Sequence, residues 1–169
     1  GFDSCVSHKQ ESLADGLRAA CPDGIDIYYE NVGGKVFEAV LPLLNENSRI
    51  AICGMISQYG NTTGGNAHEE WMKLGQPVFE RQHVQPHSLF VGNFVEEYQE
   101  QFLQDMTGWV RDGRVKYKED LWQGLEQAPK AFKAMLQGAN FGKTLVSVGE
   151  DPTLDGAIKE HRAGTNILA

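Results

Sequence analysis

Cysteine is scarce in this chain: three in 169 residues, at Cys5, Cys21 and Cys53. The count is odd and no C-x-x-C pair occurs, so neither a disulfide framework nor a zinc ribbon is indicated. Three reduced thiols fit a cytoplasmic protein. No apolar run approaches the roughly 18 residues of a membrane span, and no signal-peptide pattern is present. Basic residues are outnumbered, 15 Lys+Arg against 23 Asp+Glu, for a net charge of -8. Nucleic acid and anionic membrane surfaces are therefore poor partners. His68-Glu69-Glu70 lacks the second histidine of an H-E-x-x-H motif, so no metal site is expected. Nineteen glycines are present, yet none falls into the Gly-x-Gly-x-x-Gly phosphate turn. The first residue is Gly1, not Met, and the expectation is the C-terminal part of a longer protein.

What is present is ordinary for a globular chain: 41% hydrophobic and 22% charged residues, enough for one core or one core with a small appendage. The most telling stretch is Gly24-Ile25-Asp26-Ile27-Tyr28-Tyr29-Glu30-Asn31-Val32-Gly33-Gly34. An apolar run ends in a polar turn with two glycines, and an amphipathic segment follows. A parallel strand hands over to a helix in this way at the ligand-facing edge of an open α/β sheet, where nucleotides bind. Gly33 and Gly34 permit positive φ or close backbone approach.

The spacing predicts a short strand end over 2–8, a helix over 11–20 and a turn at Pro22-Asp23-Gly24. Ile25 to Tyr29 is a strand. Val36, Phe37, Val40, Leu41 and Leu44 form one helical stripe that Asn45-Glu46-Asn47-Ser48 breaks. Arg49 to Cys53 is a second buried strand, so 25–53 reads as a β-α-β unit with parallel strands. Residues 58–68, rich in Gly, Asn and Thr, read as a loop, with a short helical piece near 69–82 and a third strand over Ser88–Val91. Val95, Tyr98, Phe102, Leu103, Met106, Trp109 and Val110 mark a long helix ended by Gly113. Val115–Tyr117 reads as a strand, and Ala128-Pro129 opens a helix whose expected buried face is Phe132, Met135 and Leu136, capped at Gly138. Lys143 to Val148 alternates as a strand. The tail from Gly149 is polar, with a helical turn expected near 155–162.

Four segments carry a family resemblance: Asp-Gly-Ile-Asp-Ile-Tyr-Tyr-Glu-Asn-Val-Gly-Gly (23–34), Ile-Ala-Ile-Cys-Gly-Met-Ile-Ser-Gln-Tyr (50–59), Gly-Leu-Glu-Gln-Ala-Pro-Lys-Ala-Phe (124–132) and Gly-Ala-Asn-Phe-Gly-Lys-Thr-Leu-Val (138–146). In this order the chain resembles the zinc-independent, NADPH-dependent medium-chain dehydrogenases/reductases, of the prostaglandin/leukotriene reductase and curcumin reductase type. The resemblance covers roughly 1–148 and only the C-terminal part of the family's length. It implies an α/β fold, a partial Rossmann-type doubly wound sheet, followed by a C-terminal segment of the catalytic domain. The implied boundaries are 1–112 for the nucleotide-binding part, 113–148 for the segment returning to the catalytic domain and 149–169 for the tail.

The resemblance also implies a cofactor, NADPH, a small-molecule enone or quinone substrate, and a set of contacts. Asn31 would touch the cofactor; its other reading is a cap of the following helix. Cys53, Gly54, Met55, Ile56 and Ser57 would form the wall beside the nicotinamide, with Cys53 there for packing. Tyr59 would meet cofactor or substrate and is the candidate catalytic side chain, against the reading of a plain loop aromatic. Leu89, Phe90 and Val91 would offer backbone groups from a strand. The family more often has Gly-Phe-Ile here, which weakens their side-chain roles. Asn140 would contact the nucleotide's phosphates or cap the preceding helix. Ser7-His8-Lys9 stands where some members have a tyrosine for the 2′-phosphate, leaving that role to His8 or Lys9.

Without a glycine-rich turn, this stretch alone is expected to be inactive. With its neighbouring strand absent, Ile25–Tyr29 would be an open edge, and open edges recruit partners. A homodimer through sheet edges follows as an expectation. A non-catalytic fragment that only dimerises is the alternative. A doubly wound methyltransferase is a third reading of Gly-Ile-Asp-Ile-Tyr, opposed by the segments at 53–57 and 138–143.

Overall fold

The computed structural model describes residues 2–9, 11–60 and 65–150. The chain divides into two compact units between Glu97 and Tyr98. In the first, helix α1 (Leu13–Ala20) starts at Ser12, whose hydroxyl accepts the Asp15 N–H at 3.4 Å. The turn before strand β1 (Ile25–Glu30) needs Gly24, which has φ +83°. A Cβ there would run into the Asn45 side chain.

Helix α2 (Gly34–Val40) leads through a 3-10 turn (Leu41–Leu43) to strand β2 (Leu44–Ile52), which pairs parallel with β1. The β-α-β unit over 25–53 is therefore present. Its helix stops at Val40 rather than running to Leu44, because Pro42 has no N–H to continue the ladder. Residues 45–48 are not a helix break but an irregular start to β2. Between the pairs Ile25↔Leu44 and Ile27↔Arg49, β1 advances by two residues and β2 by five. Asn47 takes φ +62° in this bulge, and Asn45 Nδ2 pins it to the Asp23 carbonyl (3.0 Å) and Asp26 Oδ1 (2.9 Å).

Helix α3 (Ala67–Gln82) begins two residues before the expected span because Asn66 caps it, its Oδ1 accepting from the N–H groups of His68 and Glu69. Strand β3 is Gln85–Ser88, not Ser88–Val91, and pairs parallel with β2. An edge strand is held by its backbone on one side, so the polar run Gln-Pro-His-Ser carries no apolar signal, and its proline is tolerated there. The sheet order is β1-β2-β3, leaving β1 and β3 as edges. One face packs on Phe37, Trp71, Phe79 and their neighbours in a single core cluster. On the other, Ile27 and Tyr29 are more than half exposed. Residues 2–8 form no strand; no described strand lies beside them to supply a ladder.

Helix α4 (Gly92–Arg111) contains the long stripe expected, but none of its residues is buried. In the second unit, strand β4 (Glu119–Gln123) replaces the expected strand at 115–117 and pairs parallel with strand β5 (Lys143–Ser147). Helix α5 (Ala128–Leu136) connects them, with Pro129 in its first turn and Gly138 at φ +67° after its end. Its buried residue is Ala131. Phe132 and Leu136, expected inside, are exposed, and Met135 is half-buried. The helical turn expected near 155–162 and part of the loop at 61–64 lie outside the described residues.

Candidate active site at the carboxyl ends of the strands

The three strands of the first unit end flush. Glu30 pairs with Ile52, and Ile52 with Ser88, so Asn31, Cys53 and Leu89 each leave the sheet at the same edge. Ligands of open α/β sheets bind outside this edge. The register thus brings together the Asn31 turn, the Cys53–Tyr59 segment and Leu89–Val91.

The first two segments are stitched to each other. Glu30's carbonyl accepts from the N–H groups of Cys53 (2.9 Å) and Gly54 (3.1 Å). The Asn31 carbonyl accepts from Ile56 N–H at 3.0 Å, and the Val32 carbonyl from Ser57 N–H at 3.0 Å and Ser57 Oγ at 2.5 Å. Residues Ile56–Gln58 close into a 3-10 turn. What faces outward is side chain: Asn31 and Ser57 are exposed, Ile56 is half exposed and Tyr59 is 70% exposed. Met55 points into the core. Gly54 allows close approach, since a Cβ there would sit 3.3 Å from the Tyr59 hydroxyl oxygen.

Leu89, Phe90 and Val91 are not in a strand, which corrects that expectation. Leu89 N–H extends the ladder by one bond, to the Ile52 carbonyl at 2.8 Å. The carbonyls of Phe90 and Val91 accept from Asn93 and Phe94 N–H at the start of α4. Phe90 and Val91 instead expose their side chains, 67% and 73%.

Cys53 is exposed and beside Tyr29 on the open sheet face. A hydrogen bond with Cys53 holds the Tyr29 phenol above its usual pKa. His8 lies exposed in a turn that belongs to no element. Asn140 lies in the second unit, where its Nδ2 donates to the Gly142 carbonyl at 2.8 Å. This is the local bond of a loop-closing amide. Among the described residues, no group of three or more His, Cys, Asp or Glu side chains is placed to hold a metal ion.

Sequence reasoning missed Glu30. Its side chain is fully buried at the end of β1. Oε1 accepts from Val32 N–H (2.7 Å) and Gly33 N–H (2.8 Å), and Oε2 from Trp71 Nε1–H (3.0 Å). Tyr28 also hydrogen-bonds to it; burial and the nearby carboxylate together push the Tyr28 phenol well above its usual pKa. A signal was available: Tyr28 and Glu30 share the inward period-2 face of β1, and a charged residue on such a face requires partners. Beside this network, Gly33, Gly34, Met55, Gln58, Trp71 and Leu74 help line a cavity of about 300 Å³.

Residues 1–146 match the family model described as zinc-binding dehydrogenase. The NADPH-dependent curcumin reductase of Escherichia coli is 40% identical over 89% of this chain and 44% of its own length. Rat prostaglandin reductase 1 is 38% identical over 86% of this chain and 43% of its own. The crystal structure of CurA from Vibrio vulnificus in complex with NADPH superposes with a TM-score of 0.76 at 40% identity, covering 89% of this chain and 44% of that one. The chain thus spans under half the length of these relatives.

Proposed function

Since the chain belongs to the zinc-binding dehydrogenase family, we propose that it is the C-terminal portion of an NADPH-dependent oxidoreductase that reduces the C=C bond of α,β-unsaturated ketones. The observation that carries this reading is the flush carboxyl edge of β1, β2 and β3, with Asn31, Ile56 and Tyr59 exposed on it. The curcumin reductase and prostaglandin reductase 1 relatives supply the substrate class, and the NADPH-dependent curcumin reductase the cofactor.

The residues present fit such a cofactor. An amide at Asn31 both donates and accepts, as ribose hydroxyls require. Gly54 lets the Tyr59 hydroxyl lie close to the backbone of this turn, where a Cβ would stand 3.3 Å from it. NADPH bound at this edge supplies the hydride. The chain's own part is to position and to exclude water: Ile56 and Phe90 offer apolar surface, and the Tyr59 hydroxyl offers a donor to a substrate carbonyl oxygen as charge builds there. Roles for His8 and Asn140 rest on the family resemblance alone.

In the same reading the nucleotide-binding part runs over 1–112, 113–148 returns to the catalytic domain, the protein is cytoplasmic, and this stretch alone does not turn over substrate. The open edges at β1 and β3 also favour a homodimer through sheet edges. No helix among the described residues is long and apolar enough to cross a membrane.

Titration of the full chain with NADPH, followed by cofactor fluorescence, tests the reading. Saturable binding is expected, weakened about tenfold in Asn31→Ala by loss of one amide's hydrogen bonds. Absence of binding at millimolar NADPH, in a chain that is folded and dimeric, would leave the non-catalytic alternative.

A further inference from the structure

We propose that Glu30 is a positioning residue, one that sets the shape of the Asn31 turn and ties that turn to helix α3. The role rests on the cofactor reading above, and the residue itself reaches no ligand. Its carboxylate is fully buried and bonded by the Tyr28 hydroxyl, and each oxygen has its own N–H partners besides. Oε1 draws the N–H groups of both Val32 and Gly33 inward, while Oε2 receives the indole N–H of Trp71 from 41 residues away. Trp71 is itself fixed by stacking on Phe37, with ring centroids 4.3 Å apart.

Two consequences separate this arrangement from a phosphate-binding turn. In a phosphate cradle, backbone N–H groups point out at the anion. Here two of them point inward at a carboxylate. A negative charge also sits directly beneath the turn and opposes a phosphate above it. The Asn31 and Val32 carbonyls are equally engaged, by Ile56 and Ser57. The turn therefore offers a ligand the Asn31 side chain, and suits a neutral, hydroxyl-bearing part such as a ribose. Glu30 holds Asn31 in place by fixing the residues immediately after it.

The two-oxygen division makes a rescue experiment possible. In Glu30→Gln, the side-chain oxygen still accepts from Val32 and Gly33, but its NH₂ meets the Trp71 N–H, donor against donor. Trp71→Phe removes that conflict. NADPH affinity, thermal midpoint, and the Val32 and Gly33 amide NMR resonances are measured on the full chain for both single variants and the double. We expect Glu30→Gln to weaken NADPH about tenfold, and the double variant to return to the affinity of Trp71→Phe. The Val32 and Gly33 resonances should move in Glu30→Gln and return in the double variant. A lower midpoint with unchanged NADPH affinity would mean that Glu30 only stabilises the fold, and would overturn the proposal. So would a double variant no better than Glu30→Gln. If the unmodified chain binds no NADPH, the cofactor reading fails. The turn-setting role is then decided by the resonances: movement with rescue sustains it, and unmoved resonances overturn it.

Discussion

Both units use the same local plan, two parallel strands joined through a helix, and they differ in what they bury. In the first, Phe37 and Ile50 are completely buried within a nine-residue core cluster. In the second, Ala131 is the buried apolar side chain among the described residues, while Phe102, Phe132, Leu136 and Phe141 are each half or more exposed. The difference follows from layers rather than from composition. A third strand, β3, together with helix α3 gives the first unit a sheet wide enough to be covered. The second unit has only a two-stranded sheet among the described residues, and such a ribbon is marginal in water without further packing. The candidate site sits where the covered sheet ends, so its turns inherit a rigid base.

The sharpest way to break this comparison is a pair of identical truncations. Phe37→Ala removes a ring stacked on Trp71 and tilted against Phe79, and should cost about 3–5 kcal/mol. That is a large share of the roughly 5–15 kcal/mol that holds a typical domain. Phe132→Ala removes a ring that is 59% exposed, and should change stability by no more than about 0.5 kcal/mol. Urea unfolding of the two variants measures both. Equal costs would mean that the second unit has a core of its own.

A smaller effect sharpens the comparison from the other side, because the second unit has one tightly constrained point. Gly142 sits at φ +109°, and a Cβ there would press into the backbone of Lys118. The same place carries the bond from Lys143 N–H to the Lys118 carbonyl at 2.9 Å, beside the first β4–β5 pair. Gly142→Ala should cost about 2 kcal/mol. Amide exchange should quicken at Lys143–Ser147 and leave the Cys53 and Gly54 amides protected. Unchanged exchange in β5 would show that this turn does not hold the ribbon together.

The same contrast explains what was readable beforehand. Strand β1, helix α2 and the second half of β2 announce themselves, because buried apolar side chains recur with the period of the element. Helix α4 announces itself as strongly, yet its stripe stays uncovered, since periodicity reports a face and not the layer that will cover it. Strands β3 (Gln-Pro-His-Ser) and β4 (Glu-Asp-Leu-Trp-Gln) lie a few residues from where the apolar pattern points, because backbone pairing selects them. The start of β2 was hidden by a bulge that depends on Asn45 reaching Asp23 and Asp26 across the sheet. At the site, Asn31 and the Cys53–Tyr59 segment were picked out by resemblance. Their meeting depends on register, and the Glu30–Trp71 bond on a contact no local window contains.

The smallest expected effect is a pH dependence that belongs to the first unit. Tyr28 is half-buried, and its hydroxyl faces the Glu30 carboxylate. Burial, and then that negative charge, raise its folded pKa above the ordinary value of 10.0. Above about pH 10 the unfolded chain loses this proton while the folded chain keeps it. The folded state then binds more protons than the unfolded, so stability must fall as pH rises. The contribution is complete below pH 10 and is lost as pH climbs towards the folded pKa. The slope should approach about 1 kcal/mol per pH unit for the single group. Tyr28→Phe removes the titrating hydroxyl and should flatten the slope between pH 10 and about pH 11, while costing about 1 kcal/mol at neutral pH for the lost bond to Glu30. An unchanged slope in Tyr28→Phe would mean that alkaline instability arises from another group.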